Sequence, residues 1–268
     1  MKKHGRAMRK ILYLFCVLCF TILSFAACAK RDNHRNSIHD VYLYTDKFSE
    51  PQDDNYGYSA KLESDGYNAK IYISAKDGSI QETVIHVDAG FADSYAERLF
   101  LDMKDDGFGV LLSGGSPGAG TMGKMLYITE DGWSTYETVD ISSQIKPYPR
   151  HIAMLSREIG YIGGDRRDAS TLYRTVDGGR TWSEVAIGNN TRNAFAPIEG
   201  EDGKYYELIE IMTDEPEKSA YNLYESYDGL EWERLKNFSL NSDISGYYYA
   251  DGRVYFVCRD GTIYAMDL

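Results

Sequence analysis

The chain has 268 residues, of which 43% are hydrophobic and 26% are charged, and its formal net charge at pH 7 is −12. The first 27 residues hold five Lys/Arg and no Asp/Glu, so the remainder carries −17. Affinity for phosphate polymers comes mostly from lysine and arginine. This balance excludes nucleic acid as a bulk electrostatic partner, and any anion site must be a local exception.

The N-terminal segment is typical of an export signal. Five basic residues among the first ten precede the apolar run ILYLFCVLCFTILSF and then Ala26-Ala27-Cys28. These last residues resemble the lipobox of bacterial lipoproteins, although Phe25 departs from the usual leucine. The resemblance implies removal of residues 1–27, lipidation of Cys28, and attachment to the extracytoplasmic side of the cell membrane. An uncleaved anchor over residues 11–27 is the alternative.

Residues 28–40 are polar without an apolar run, which predicts a flexible tether. Residues 41–268 have the length of a single domain. Cys258 is the only cysteine within that range, so a disulfide framework is excluded and stability must come from packing. We expect the domain to be a monomer.

Four segments of the domain share one pattern. Each has an alternating strand with a tyrosine, an Asp-Gly turn and a second alternating strand, which predicts a β-hairpin. They are IYISAKDGSIQETVIHV, LYITEDGWSTYETVDI, LYRTVDGGRTWSEVAI and LYESYDGLEWERLKNF. Their turn aspartates are 54, 46 and 51 residues apart, a period that indicates a repeat architecture: Asp77, Asp131, Asp177 and Asp228.

The third turn, TVDGGRTW from Thr175 to Trp182, matches S/T-x-D-x-G-x-T-W at every defined position. The second has Tyr136 in place of the tryptophan, and the fourth, which ends at Trp232, is one residue shorter. On these residues the chain resembles the Asp-box (BNR-repeat) β-propellers, the superfamily of sialidases and of photosystem II assembly-factor-like propellers.

The resemblance implies an all-β ring of four-stranded antiparallel blades, with each Asp-box between the third and fourth strands of a blade. In such a turn the carboxylate accepts backbone N–H bonds, and the aromatic side chain, Trp182 or Trp232 here, fills the gap between neighbouring sheets. We therefore assign the turn aspartates a structural role.

Counting the strands that precede each turn predicts five blades. Six is the alternative if residues 41–67 form more of a sheet. The N-terminal DVYLYTDKF is expected to complete the last blade beside the C-terminal TIYAMDL, because closing the ring removes an exposed sheet edge.

Strand order places the expected ligand face opposite the Asp-boxes. Arg98, Arg150 and Arg192 each stand at the entry of an innermost strand in consecutive units. Three guanidinium groups at one channel mouth would hold a carboxylate or another anion through bidentate bonds. The alternative is that these arginines pair with surface acids.

The same face carries three other candidate positions. Arg166 and Arg167 lie in a loop between the second and third strands, for which a solvated loop is the alternative. Tyr247 starts the run Tyr247–Tyr249, which is a candidate stacking surface for sugars, although tyrosine is also a good strand former.

The stretch GGSPGAGTMGKML, residues 114–126, has the spacing of a phosphate-binding loop, with Met125 where a hydroxyl should bind magnesium. The following MLYITEDG predicts a strand, whereas phosphate binding needs the N-terminus of a helix. We interpret the stretch as a glycine-rich hairpin connection with Lys124 on its exposed rim.

These features predict a non-catalytic scaffold that binds a protein or glycan partner on the face opposite the Asp-boxes. The alternative is a sialidase-like glycoside hydrolase, with Glu97, Glu207 and Glu210 as candidate carboxylates. No R-I-P element occurs in the sequence, which disfavours that alternative. The acids and histidines show no regular ligand pattern, so neither a metal site nor a cofactor is expected.

Overall fold

The computed structural model describes residues 41–43, 58–64, 69–75, 83–87, 99–114, 122–165, 172–188, 190–214 and 218–268. All of them belong to one compact unit, Asp40–Leu268. The predicted signal, Cys28 and the tether lie outside the described residues, as does the aspartate turn at Asp77. None of the described residues belongs to an apolar helix long enough to cross a membrane.

The described chain is all-β, and each paired strand is antiparallel to its neighbours. The first unit has three described strands in the order β2-β3-β4, which are Tyr58–Ser64, Ala69–Ala75 and Thr83–Val87. The second unit is a four-stranded sheet in the order β5-β6-β7-β8, formed by Leu99–Met103, Gly109–Gly114, Lys124–Thr129 and Glu137–Asp140.

A nine-stranded sheet contains the third and fourth units. The third unit consists of β9 to β12, which are Tyr148–Met154, Gly160–Asp165, Leu172–Thr175 and Ser183–Glu184. The fourth consists of β13 to β17, which are Thr191–Ala194, Ile198–Glu199, Tyr205–Ile211, Ser219–Ser226 and Glu233–Leu240. A single residue pair, Asp165 with Asn193, joins the two units.

The last sheet contains strands from both ends of the domain. It has the order β1-β20-β19-β18, formed by Val41–Leu43, Ile263–Asp267, Arg253–Cys258 and Ile244–Ala250. Val41 pairs with Met266 and Leu43 with Tyr264. The predicted completion of the last blade by the N-terminal strand is confirmed.

The innermost strands of the units face a common space. β2 lies beside β5, β5 beside β9, and β14 beside β18. A cavity of about 520 Å³, the channel cavity, is lined by residues of all five units: Ser59, Phe100, Ile152, Phe195 and Gly246 are examples. Sheets arranged around a central channel form a β-propeller, as predicted, while the number of blades stays a prediction.

The three described aspartate turns share one hydrogen-bonding scheme. In the third unit, Asp177 accepts the backbone N–H of Thr181 at 2.8 Å, and the Thr175 hydroxyl accepts the N–H of Gly179 at 2.9 Å. Asp131 and Asp228 accept equivalent backbone bonds. In these two turns, backbone N–H donors from Thr135 and Glu231 hold the carboxyl pKa below its ordinary value. The carboxylates therefore fix the turn conformation.

The tryptophans of these turns pack against the preceding unit. Trp182 is nearly buried and shares a cluster with Leu126 and Ile128 of the second unit. Trp232 stands edge-on to Tyr161 of the third unit, with ring centroids 5.7 Å apart, and its Nε1–H donates to the Tyr161 hydroxyl at 3.1 Å. Both rings thus lie between strands of neighbouring units.

The second unit fills its gap with a different residue from the expected one. Tyr136 is 40% exposed, whereas Trp133 is 1% exposed and clusters with Ile71 and Ile85 of the first unit. Trp133 occupies the turn position that Gly179 occupies in the third unit, with φ of 71°. Its carbonyl accepts the Thr83 hydroxyl at 2.7 Å. The sequence pattern has Tyr136 at the tryptophan position of this turn, but the ring that fills the gap is that of Trp133.

The contribution of Trp133 to stability is testable by chemical unfolding. Trp133→Ala should lower the free energy of unfolding by about 3–5 kcal/mol, because it leaves a cavity between two sheets. Tyr136→Ala, the matched control from the same turn, should cost about 1 kcal/mol or less because that side chain is substantially exposed. Equal losses in the two variants would contradict the assignment of the filling role to Trp133.

Candidate functional site

A second cavity of about 440 Å³ adjoins the channel on the face opposite the aspartate turns. We call it the mouth cavity. Strands β9 and β13 begin there, β10 and β15 end there, and the turns between third and fourth strands lie at the other end of each sheet. Phe100, His151 and Phe195 line both cavities. The charged residues of the mouth cavity are Arg150, Asp165, Arg192, Glu210, Asp243 and Arg259.

The structure brings together two of the three arginines singled out from the sequence. Arg150 Nη2 is 2.7 Å from Asp165 Oδ2, and Arg150 Nε donates to the same oxygen at 3.0 Å. Arg192 Nη1 is 2.9 Å from Glu210 Oε1. Both arginines therefore line one cavity and also pair with acids of their own units. Arg98, Arg166 and Arg167 lie outside the described residues.

Sequence reasoning missed Arg259 and Asp243. The backbone N–H of Arg259, just after β19, donates to the Asp243 carbonyl at 2.9 Å, which joins the loop after β19 to the loop before β18. No ion pair joins Arg259 to a carboxylate within the part of the chain that the structure describes. The position of Arg259 in its repeat could have identified it. Arg259 directly follows the second strand of its unit, and Asp165, which also lines the mouth cavity, ends the second strand of the third unit.

Glycines allow the third and fourth units to approach each other at the mouth. A Cβ atom on Gly163 would lie 2.3 Å from the Ala194 carbonyl oxygen, closer than real Cβ atoms come. One residue further, Gly164 has a similarly close backbone neighbour in Tyr148. This GGD segment places Asp165 opposite Asn193, and so holds Arg150 and Arg192 at the same cavity.

Burial perturbs two titratable groups of the mouth. Burial, with a smaller contribution from Arg150, lowers the pKa of His151 to about 4, so this imidazole is neutral at pH 7. Burial also raises the pKa of the Glu210 carboxyl, although the neighbouring Arg192 acts in the opposite direction. The mouth therefore combines three exposed guanidinium groups with one carboxylate that is poorly solvated.

Lys124 does not lie on an exposed rim, which corrects the sequence-based expectation. Its side chain is 2% exposed, and its ammonium donates to the Met122 carbonyl at 3.1 Å. The residue begins strand β7 and takes part in the sheet, because the apolar pattern that follows it is a strand. The absence of a helix after Lys124 agrees with our rejection of a phosphate-binding loop.

Tyr247 is not an open stacking surface either. Its ring is 9% exposed and stands edge-on to Phe195 at 5.7 Å. Its hydroxyl lies 2.9 Å from the Ala196 carbonyl oxygen and 2.8 Å from that of Tyr206. Tyr247 thus connects the fourth and fifth units, and its hydroxyl is used for hydrogen bonding within the protein.

Glu207 and Glu210 lie on opposite faces of strand β15, since they are three residues apart in a continuous register. Glu210 lines the mouth cavity, whereas Glu207 is completely buried. Neither carboxylate oxygen of Glu207 has a hydrogen-bond partner, and burial raises its pKa well above the ordinary value. The two glutamates therefore cannot flank one glycosidic bond. Glu97 lies outside the described residues.

Comparisons with known proteins find solved structures that are similar to this chain but do not assign it to a family. No protein-family model and no curated protein matches the chain. A GH74 enzyme of Niastella koreensis is 17% identical over 75% of this chain and 32% of that chain, with a TM-score of 0.43. The chain thus spans about a third of that enzyme.

Two further solved structures are similar at comparable levels. YCF48 bound to a D1 peptide is 14% identical over 82% of this chain and 70% of that chain, with a TM-score of 0.41. The phage phi92 endosialidase is 10% identical over 79% of this chain and 47% of that chain, with a TM-score of 0.46. Likeness at this level carries no argument about activity, and the propeller fold is established by the sheets and the channel described above.

The unpartnered Glu207 should make stability depend on pH. A carboxyl whose pKa is raised in the folded state stabilises that state below its ordinary pKa of 4.5, and the contribution is lost as the pH rises above this value. Glu207→Leu removes the buried carboxyl and should stabilise the protein by about 1–3 kcal/mol near neutral pH. Urea unfolding at about pH 5 and about pH 8 measures both effects.

The difference between Glu207→Leu and the unaltered protein should widen at the higher pH. Glu184→Leu, at an exposed position of β12, is the control and should leave the pH dependence unchanged. Parallel pH profiles for Glu207→Leu and the unaltered protein would contradict the assignment.

Proposed function

We propose that this protein is a membrane-tethered, extracytoplasmic β-propeller that binds a protein or glycan partner at the mouth cavity without transforming it chemically. The observation that carries the proposal is the convergence of Arg150, Arg192 and Arg259 on one cavity at the end of the channel. Guanidinium groups recognise carboxylate and related oxyanions through paired hydrogen bonds. An anionic group of the partner is therefore the expected anchor.

The charge balance makes this location distinctive. A chain with a net charge of −12 repels anionic ligands in general, so binding must depend on local geometry. Arg150 and Arg192 have side chains that are 52% and 56% exposed, which leaves part of each guanidinium accessible to a partner. The mouth cavity has a volume within the range that is typical of ligand sites, about 300–1,000 Å³.

A glycoside hydrolase, the second class of function, has no specific observation in its favour. Glycosidases place two carboxyl groups on either side of one bond, and Glu207 and Glu210 face different regions of the protein. The solved neighbours include a GH74 enzyme and YCF48 with a bound peptide, so they do not separate the two classes. The proposal rests on the mouth cavity alone.

The tether is part of the proposal because of the N-terminal sequence. The basic start, the apolar run and Ala26-Ala27-Cys28 support export followed by lipidation. A lipid on Cys28 and the polar residues 29–40 would keep the propeller close to the membrane surface. Its partners would then be molecules of the cell envelope.

Partner capture should depend on the arginines. Full-length protein with a C-terminal tag, crosslinked in native envelopes, should recover a defined partner, and Arg150→Ala should reduce that recovery about tenfold, as expected for loss of a charged contact of about 1.4 kcal/mol. Arg253→Ala is the matched control, because Arg253 forms an exposed 2.7 Å pair with Asp267 outside the mouth cavity. Equal recovery with Arg150→Ala and Arg253→Ala would overturn the assignment of the site.

Lipidation is tested separately. Cys28→Ser should abolish incorporation of labelled fatty acid, because thioether formation requires the cysteine sulfur. Mass spectrometry of the mature N-terminus measures the same change directly. An unaltered protein that retains residues 1–27 and takes up no fatty acid would indicate the uncleaved anchor instead.

A further inference from the structure

Glu210 is the buried partner of the Arg192 ion pair. Its side chain is 11% exposed, compared with 56% for Arg192, and their atoms are 2.9 Å apart. This carboxylate occupies one edge of the guanidinium, where an anionic ligand would bind. A ligand must therefore share Arg192 with Glu210 or displace it.

Charged and titratable groups surround Glu210 on every side. Arg192 comes from β13, Asp243 from the loop before β18, and Arg259 from the loop after β19. Tyr221 of β16 is the cross-strand neighbour of Glu210, and its hydroxyl accepts the Ile244 N–H at 2.9 Å. Asp165 and Arg150 complete the mouth. Two carboxylates thus lie close to Arg192 and Arg259 before any ligand arrives.

Glu210 is the carboxylate least able to remain charged when a ligand binds. Asp165 is 36% exposed and receives two bonds from Arg150, and Asp243 accepts the Ser219 hydroxyl at 2.5 Å. Arg192 compensates the charge of Glu210 more than Arg259 does, and Asp243 repels it. A further negative group on Arg192 would remove that compensation and add repulsion.

We propose that Glu210 is a proton-linked gate of the mouth cavity: an oxyanion group that takes its place on Arg192 causes Glu210 to bind a proton, so the site holds oxyanions more tightly as the pH falls. This inference rests on the proposed function, because it concerns the same arginines. It adds the ligand chemistry, a carboxylate-like or sulfate-like group, and a means of regulation by the acidity of the cell envelope.

The sign of the effect follows from linkage. The Glu210 carboxyl has a higher pKa in the complex than in the free protein, so each binding event takes up protons between these two values. The affinity for the oxyanion is highest when the pH is below the Glu210 pKa of the free protein. It falls by at most about tenfold per pH unit until the pH reaches the Glu210 pKa of the complex. Burial already raises the Glu210 pKa in the free protein, which places the start of this interval above its ordinary value.

Titration calorimetry with sulfate tests the gate in the full-length protein in neutral detergent. Sulfate keeps the same charge between about pH 5 and about pH 8, so any pH dependence comes from the protein. Repeating each titration in two buffers of different ionisation enthalpy measures proton uptake, expected to reach about one proton per sulfate. Affinity should rise toward the lower pH.

Two variants and one control assign the effect. Glu210→Gln should bind sulfate more tightly at the higher pH and lose the proton uptake, because a neutral side chain replaces the displaced carboxylate. Arg259→Gln should weaken sulfate binding. Glu225→Gln, which alters a carboxylate that pairs with Lys204 at 2.8 Å near the aspartate-turn end of the same sheet, should retain both the affinity and the proton uptake.

The possible failures are distinguishable. Sulfate binding that weakens in Arg259→Gln but takes up no proton overturns the gate and leaves the anion site in place. Sulfate binding that Arg259→Gln does not change, or an absence of binding at both pH values, overturns the anion site itself and with it the gate. Proton uptake that persists in Glu210→Gln assigns the proton to another group and also overturns the gate.

Discussion

The packing of one tryptophan ring at each junction between the first four units is the constraint on which the rest of this structure depends. Trp133, Trp182 and Trp232 each extend from an aspartate turn into the preceding unit. The apolar face of a sheet must be buried against another layer. These tryptophan rings supply part of the apolar surface that is buried between neighbouring units. The aspartate carboxylates hold the turns that aim the rings.

The mouth cavity is a consequence of this arrangement. Once the sheets stand side by side around a channel, the starts of all innermost strands lie at the same end, so residues distant in sequence become neighbours. Gly163 then allows the third and fourth units to approach more closely than side chains would permit. The pairs Arg150–Asp165 and Arg192–Glu210 are held at the cavity by that approach.

Arg150 and Arg192 each pair with an acid at the mouth, which reconciles an acidic protein with a cluster of guanidinium groups. The sequence presented convergence and pairing with acids as alternatives, and the structure has both for Arg150 and Arg192. The three arginines and three acids that line the mouth cavity make it formally neutral, and a ligand competes with Asp165 and Glu210 for Arg150 and Arg192. Burial makes Glu210 the most sensitive of these competitors, because a charged group loses stabilisation when water is excluded.

The sequence by itself determined the all-β class, the hairpins, the structural aspartate turns and the completion of the last blade, because strand alternation and turn chemistry are local properties. Two arginines of the mouth followed from strand order. The sequence did not reveal which side chains are buried. Lys124 and Tyr247 are enclosed, and Trp133 rather than Tyr136 is the aromatic residue between the first two units. Arg259, Asp243 and the isolation of Glu207 depend on which units become neighbours. Only the tertiary structure decides that, because these contacts join strands from different repeats and leave no local pattern in the chain.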